Sequence, residues 1–440
     1  MSVHDIHKSL SDYSRELGEC VRCGACQAQC PVYLETGKEG AVARAKIVLA
    51  AEMLAGRMEL DPEAIDDLSL CLLCGACVQN CPNHVPTDAI VSALRREISA
   101  KKGLSPIGKG VSALTGHPRL LSSLVRSAGV FSSLLFKKIP ATSGLRLRFS
   151  PESLKDRILP PLPRRNLFAR LPERLQGQPG KATVAFFAGC TITHLYPEMG
   201  EAAVRLLHRL GYTVLIPRSQ GCCGMPALTS GNGDLVQQLV HTNATAFSGE
   251  KIDAILTACA SCGSTLSRFY NEIKGGAAGD LPKKSMDIHA FLNKEGWIER
   301  LASLPKAEKR MRVCYHDPCH LKNHGITAEP RALLAALPTV DYVEMEGAAL
   351  CCGLGGTFAA SRPEISQGIA GRKIPGLAAS GADLVASSCP GCIMQLSGII
   401  HQAGLPMQAI HTMNLALAAC EDNLCAALFG GDSGHLASPY

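Results

Sequence analysis

Residues 20–31 read CVRCGACQAQCP, and residues 71–82 read CLLCGACVQNCP. Both follow C-x-x-C-x-x-C-x-x-x-C-P, so the pattern occurs twice in the first 82 residues. Three cysteines three residues apart can wrap a tight loop around one corner of a [4Fe–4S] cluster, leaving one iron for a distant thiolate. The fourth cysteine of the other copy can supply that thiolate. The spacing therefore pairs Cys20, Cys23 and Cys26 with Cys81 at one cluster, and Cys71, Cys74 and Cys77 with Cys30 at the other. Pro31 and Pro82 turn the chain away after each crossing ligand. A tetrahedral four-cysteine zinc site is the competing use, but two complete copies ending in Cys-Pro favour iron.

Around these motifs the chain reads as helix. Residues 41–56, AVARAKIVLAAEMLAG, are good helix formers, and Thr87 is placed to cap a second helical pattern over 88–102. Residues 1–100 thus resemble a helical ferredoxin domain. Residues 101–178 follow as a cysteine-free connecting segment rich in Pro, Ser, Lys and Arg. Within it, Leu120, Leu121, Leu124, Ala128, Phe131 and Leu135 fall on one helical stripe, with Ser122, Arg126 and Ser133 opposite. Packing on a neighbouring domain is favoured for that stripe over lying in a membrane interface.

From residue 179 the chain repeats itself, in halves bounded at 179–308 and 309–440. Cys190 matches Cys319, Cys222-Cys223-Gly224 matches Cys351-Cys352-Gly353, and the pair Cys259 and Cys262 matches Cys389 and Cys392, at offsets of 129 or 130. TVAFFA leads to Cys190 as RVCYHD leads to Cys319, and DIHAFL at 287–292 corresponds to AIHTMN at 409–414. Short apolar runs alternate with helical patterns, which argues for βαβ units and parallel sheets whose sites form at the carboxyl ends of strands. The fold class expected is α+β multidomain: a helical two-cluster ferredoxin domain, then two tandem α/β repeats. Each half offers five cysteines, one more than a cubane needs at one ligand per iron. A five-thiolate, non-cubane cluster, a cubane with a spare cysteine, a zinc site and a metal-free dithiol all fit the spacing. One or two further [4Fe–4S] clusters are expected here. Gly224 and Gly353 would permit positive φ beside the ligands. His194, His316, His320 and His324 are candidates for tuning a cluster through hydrogen bonds. Cys314, Cys420 and Cys425 stand outside the pattern and read as small buried hydrophobes.

The whole chain has 440 residues, 21 of them cysteine, with 46% hydrophobic and 19% charged side chains. That composition belongs to an ordered globular protein, too large to need disulfide staples. No secretory leader or long apolar span is evident, so a reducing cytoplasmic location is expected, with peripheral attachment to the cytoplasmic membrane as an addition. The formal charge of +6 is uneven. Residues 101–175 hold 15 basic and 3 acidic side chains, leaving the remainder net negative. No nucleic-acid motif accompanies the basic stretch, which suits an anionic membrane or an acidic partner instead. Neither G-x-G-x-x-G after a strand nor G-x-x-x-x-G-K-[ST] is present, so no nicotinamide, nucleotide or flavin site is expected in this chain.

Two ferredoxin runs followed by two Cys-Cys-Gly repeats resemble the iron–sulfur subunit of glycolate oxidase and of some lactate dehydrogenases, over nearly the full length. The same modules occur in the iron–sulfur subunit of anaerobic glycerol-3-phosphate dehydrogenase and in heterodisulfide reductases. The resemblance implies an electron-transfer subunit of a 2-hydroxy acid dehydrogenase, with glycolate or lactate oxidised on a separate FAD-containing subunit. Electrons would then pass toward a quinone or another carrier. It also implies ligand roles for Cys190, Cys222, Cys223, Cys259 and Cys262, and for Cys319, Cys351, Cys352, Cys389 and Cys392. Both C-x-x-C elements are intact, whereas many glycolate-oxidase-type members have degenerate ones. That shifts the site toward the heterodisulfide reductase pattern and keeps disulfide reduction as an alternative, beside the glycerol-3-phosphate role.

Overall fold

The computed structural model describes residues 7–130, 136–139, 144–147 and 162–421; Cys425, Phe131, Ser133 and Leu135 lie outside them. The N-terminal part is built from helices around two cysteine loops. Ala43–Leu54 realises the first helical pattern, and Thr87–Lys102 the second. Thr87 does not cap that helix. It is the first helical residue, after Pro86, and its hydroxyl donates to the Val85 carbonyl at 3.4 Å. Leu10, Tyr13, Ile47, Leu68, Ile90 and Leu94 close a small core between these elements.

The helices Pro106–Gly116 and Pro118–Val130 come next, then a two-stranded antiparallel ribbon of β1 (Phe136–Ile139) and β2 (Gly144–Leu147). In the helix Pro118–Val130 the side that meets protein carries Ser122, whose hydroxyl lies 3.0 Å from His194 Nδ1. Leu120 and Leu124 are instead exposed, at 44% and 49%. The helix therefore docks through the Ser122 side rather than through the whole leucine stripe.

The repeated part forms two α/β units. In the first, β3 (Arg174–Leu175), β4 (Thr183–Phe186), β5 (Thr213–Leu215), β6 (Ala254–Thr257) and β7 (Ser285–Asp287) make a sheet ordered β3-β5-β4-β6-β7. In the second, β8 (Met311–His316), β9 (Val340–Tyr342), β10 (Leu384–Ser387) and β11 (Gln408–His411) are ordered β11-β10-β8-β9. All pairings within the two units are parallel except β3 with β5, an added antiparallel edge. Strand for strand the repeated order is the same: the second strand flanks the first, and the third and fourth lie on its other side. Connections must reverse between the first and third strands, which opens a crevice at their carboxyl ends. Helices cover both faces, so the strands read as nearly unbroken apolar runs such as TVAFFA.

The two units are joined across buried polar groups. His289 donates from Nδ1 to Asp287 (2.9 Å) and accepts at Nε2 from Thr412 (2.7 Å) and Ser388 (3.2 Å). His411 returns the link, donating from Nε2 to the Ala258 carbonyl at 2.7 Å while Met413 N–H donates to its Nδ1. Asp287, His289 and Ser388 are aligned like a hydrolytic triad, yet all three are buried. They clamp one repeat to the other.

Candidate metal centres

The two N-terminal loops exchange their last cysteines. Cys20, Cys23, Cys26 and Cys81 line one cavity. Cys30, Cys71, Cys74 and Cys77 line a second. Pro31 starts the helix Pro31–Thr36, with Cys30 as its N-cap, so the crossing thiol is fixed where one loop ends and a helix begins. Leu73 N–H donates to Cys71 Sγ at 3.4 Å. Lys46, 1% exposed, borders the second cavity and donates to the carbonyls of Gly40 (2.7 Å) and Asp67 (3.0 Å). Burial pushes the thiols of Cys74 and Cys77 well up. Thiolates are stable at such depth only when a cation offsets their charge, which is what a metal supplies.

In each repeat the cysteines follow the first three strands, at the crevice. Cys190 comes after β4, Cys222 and Cys223 after β5, and Cys259 after β6; Cys319, Cys351 with Cys352, and Cys389 take the same places after β8, β9 and β10. Cys259 caps the helix Ala260–Ser267 and Cys389 caps Pro390–Gln402, so Cys262 and Cys392 lie in first helical turns, where free N–H groups favour negative charge. Gly224 stands at φ +98° and Gly353 at +82°, as a tight Cys-Cys-Gly turn requires. Their N–H groups point to Cys222 Sγ (3.4 Å) and Cys351 Sγ (3.3 Å).

The sulfurs converge without bonding to one another. Cys190 and Cys222 lie 3.4 Å apart and Cys352 and Cys392 3.3 Å apart, far longer than the ~2.05 Å of a disulfide. None of the eighteen cysteines of the four groups is in a disulfide. Cys259 and Cys389 interact across the interface between repeats, where Ala260 N–H also donates to the Ser388 carbonyl at 3.2 Å. Thiols of Cys351 and Cys392 hydrogen-bond to Cys352 and pull it to about 5, while Cys222 and Cys262 likewise lower Cys223. Five convergent thiols per repeat, with no disulfide among the described residues, fit a metal group carrying several positive centres. They exceed what tetrahedral zinc takes.

The histidines divide. His194 is buried against Ser122, and burial holds it at about 4. His320 accepts from Ser261 (3.0 Å) and donates to the Leu73 carbonyl (3.0 Å), while Asn323 donates to the Cys74 carbonyl. Those two residues lock the second ferredoxin loop onto the second repeat, so Cys74 lies within electrostatic reach of Cys319 and Cys351. Burial also lowers His324. His316 is fully buried with neither ring nitrogen paired, and a ring nitrogen lies within 4.8 Å of both Cys352 Sγ and Cys392 Sγ.

Sequence reading missed Lys46, Asn323, Arg95 and Lys373. Arg95 donates to the carbonyls of Thr229 (3.1 Å), Ser69 (3.1 Å) and Cys71 (2.7 Å), joining the ferredoxin loop to the first repeat. Lys373, 1% exposed, donates to the carbonyls of Gly347 (2.8 Å) and Ala348 (3.2 Å), just before Cys351. No local motif marks any of them, because each acts on backbone carbonyls distant in sequence.

Comparison with known proteins agrees with this construction. A 4Fe–4S dicluster domain matches residues 16–85, and a cysteine-rich domain matches twice, at 184–267 and 313–397. The chain is 31% identical to the probable glycolate oxidase iron-sulfur subunit of Bacillus subtilis (strain 168), covering 92% of this chain and 94% of that one. It belongs to the family of glycolate oxidase iron–sulfur subunits. This iron–sulfur subunit is also 28% identical to a subunit of the dihydromethanophenazine:CoB–CoM heterodisulfide reductase of Methanosarcina barkeri, over 87% of the chain and 88% of the relative. Lactate utilization protein A 2 of Bacillus cereus (strain Q1) is 28% identical over 52% of the chain and 95% of its own length. Among the described residues, no helix of the protein is long and apolar enough to cross a membrane.

Proposed function

We propose that this iron–sulfur subunit carries electrons away from a 2-hydroxy acid, glycolate or lactate, that is oxidised on a separate FAD-containing subunit, and delivers them to a quinone or another carrier. Four groups of cysteine sulfurs carry this reading, the second ferredoxin group lying within electrostatic reach of the second repeat's sulfurs and the two repeats' groups meeting at Cys259 and Cys389. Cys20, Cys23, Cys26 and Cys81 would hold one [4Fe–4S] cluster, and Cys30, Cys71, Cys74 and Cys77 a second. The five cysteines of one or both repeats would hold one or two further [4Fe–4S] clusters, non-cubane where all five thiolates bind. Such clusters accept and release single electrons. The chain's residues bury and space them: the two ferredoxin loops exchange Cys30 and Cys81, His320 and Asn323 fasten the second loop to Cys319 and Cys351, and Cys259 meets Cys389. Free cysteines in this number suit a reducing, cytoplasmic setting. The domain limits 1–100, 101–178, 179–308 and 309–440 follow the same division of labour.

Anaerobic purification of the tagged native complex tests the reading. Co-purifying flavin and about twelve to sixteen irons per chain are expected. About eight irons with bound zinc, or no flavoprotein under any native condition, would overturn it. A second reading, reduction of a disulfide within the repeats, is favoured by the intact C-x-x-C elements and their contact across the interface. It requires the reduced isolated chain to turn over a low-molecular-weight disulfide, and Cys222→Ser or Cys351→Ser to abolish that turnover.

A further inference from the structure

The two repeats share strand order and cysteine placement, but their surroundings differ in two buried positions. At the end of β8, His316 faces Cys352 and Cys392 with both ring nitrogens unpaired. At offset 129 the first repeat has Phe187, also fully buried. A Cβ added to Gly189 there would lie 2.7 Å from Cys262 Sγ and 3.4 Å from the Phe187 ring, which puts the phenyl beside the matching sulfur. The second difference lies behind the Cys-Cys-Gly turn. Lys373, between the helices Pro363–Gly371 and Ile374–Ser380, places a buried ammonium on the carbonyls leading to Cys351. In the first repeat the buried side chain in that role is neutral. Asn243, on the helix Gly233–Ala246, donates to the Cys222 carbonyl at 2.9 Å and accepts from Gly221 N–H at 2.8 Å.

A buried imidazole carries at least one N–H, and leaving it unpaired costs free energy. The groups it faces are sulfurs. An N–H donated to a cluster sulfur and a nearby positive charge both stabilise the state that has gained an electron, and so raise the reduction potential. A phenyl ring and a neutral amide do neither. We infer that the second repeat holds its iron–sulfur group at a higher reduction potential than the first, with His316 and Lys373 as the positioning residues that create the difference. The inference rests on the proposed function in one respect, that both repeats hold such a group. It makes the second repeat, the one fastened to the ferredoxin loop through His320 and Asn323, the side on which an added electron resides.

The test is a potentiometric titration of the anaerobically purified full chain, followed by electron paramagnetic resonance. Cys190→Ser and Cys319→Ser identify which signal belongs to which repeat. In the wild type, the signal lost in Cys319→Ser should have the higher midpoint. His316→Phe and Lys373→Met should each shift that signal toward the oxidised form by tenfold or more, about 59 mV for a one-electron couple, and leave the other unmoved. Phe187→His should move the first repeat's signal the opposite way, and His316→Gln, which keeps an N–H donor, should restore part of the loss. Equal or reversed midpoints in the wild type overturn the inference. So does an unmoved second-repeat signal in His316→Phe together with an unmoved first-repeat signal in Phe187→His, and so does a nitrogen coupling large enough to show His316 bound directly to iron. If Cys319→Ser removes neither iron nor signal, the underlying assignment of a cluster to that repeat has failed.

Discussion

At Gly353 a Cβ would lie 2.4 Å from the Ser366 carbonyl oxygen, with the backbone already at φ +82°. Neither the helix behind it nor the cysteine pair before it can retreat without moving Cys351 or Cys352. Gly353→Ala should therefore destabilise the anaerobic protein by about 1–3 kcal/mol, read as a lowered guanidinium midpoint. Gly371→Ala, where an added Cβ meets nothing within 4 Å, should leave the midpoint level or slightly raised. Equal effects would show that the turn is not strained against the helix. A pH effect belongs to His411, which burial holds at about 4 against an ordinary 6.5. The unfolded chain takes up that proton first, so stability rises with pH through this window and falls as pH drops from 6.5 toward 4. Between pH 6.5 and 5 the loss from this residue should be about 2 kcal/mol, and His411→Gln should reduce the slope by that share, His194, also held at about 4, keeping its own; parallel slopes would assign the effect elsewhere. The glycines are legible in the sequence because a Cys-Cys-Gly turn states its own backbone need. His316 is one of four histidines the sequence offers beside the cysteines, and laying RVCYHD over TVAFFA sets it apart as a polar residue opposite a phenylalanine.

Secondary-structure elements explain why the cysteine spacing translates into cavities. Each ferredoxin loop has three local sulfurs, and the fourth in each cavity comes from the end of the other loop, held by the start of a helix or a turn. Cys81→Ser should thus remove about four irons from the cavity of Cys20, Cys23 and Cys26, while the cavity beside its own loop keeps its metal. Iron analysis with Cys23→Ser as comparison checks this, because both variants should lose the same spectral signal. Loss of the signal that depends on Cys74 would show that each loop serves itself. The strand pattern was equally legible, since short apolar runs before the cysteine groups alternate with helical patterns, as βαβ units with a parallel sheet require. The edge strand β3 was not, because Arg174–Leu175 is too short to carry a period. Nor was the orientation of Pro118–Val130. Helical projection places Ser122 opposite the leucines, but the hydrogen bond it makes with His194 outweighs that pattern and turns the serine side inward.

Charge is segregated across the whole molecule in a way that follows its parts. Residues 101–150 hold nine Lys and Arg and no Asp or Glu, while the ferredoxin part, residues 1–100, is net negative with 9 basic and 14 acidic side chains. Ion pairs join that part to the repeats, such as Arg268 with Asp88 at 2.7 Å and Arg372 with Glu35 at 3.0 Å, and in the connecting segment, among the described residues of 101–130, Lys101, Lys102, Lys109, Arg119 and Arg126 are exposed. Ile107, Leu120 and Leu124 are exposed on its helices, and Ser122 holds the opposite side to protein. Electron delivery to a quinone would require contact with a bilayer, and the protein has no membrane-spanning helix among its described residues. Basic side chains near an anionic bilayer contribute about 1 kcal/mol each, and inserted leucines add to that through burial. The segment should therefore bind vesicles containing an anionic phospholipid, weaken as salt rises, and ignore neutral ones. Leu120→Ser combined with Leu124→Ser should lower that affinity about tenfold or more without changing iron content. Equal binding to neutral and anionic vesicles, or an unchanged affinity in the double variant, would show that this surface meets a protein partner instead.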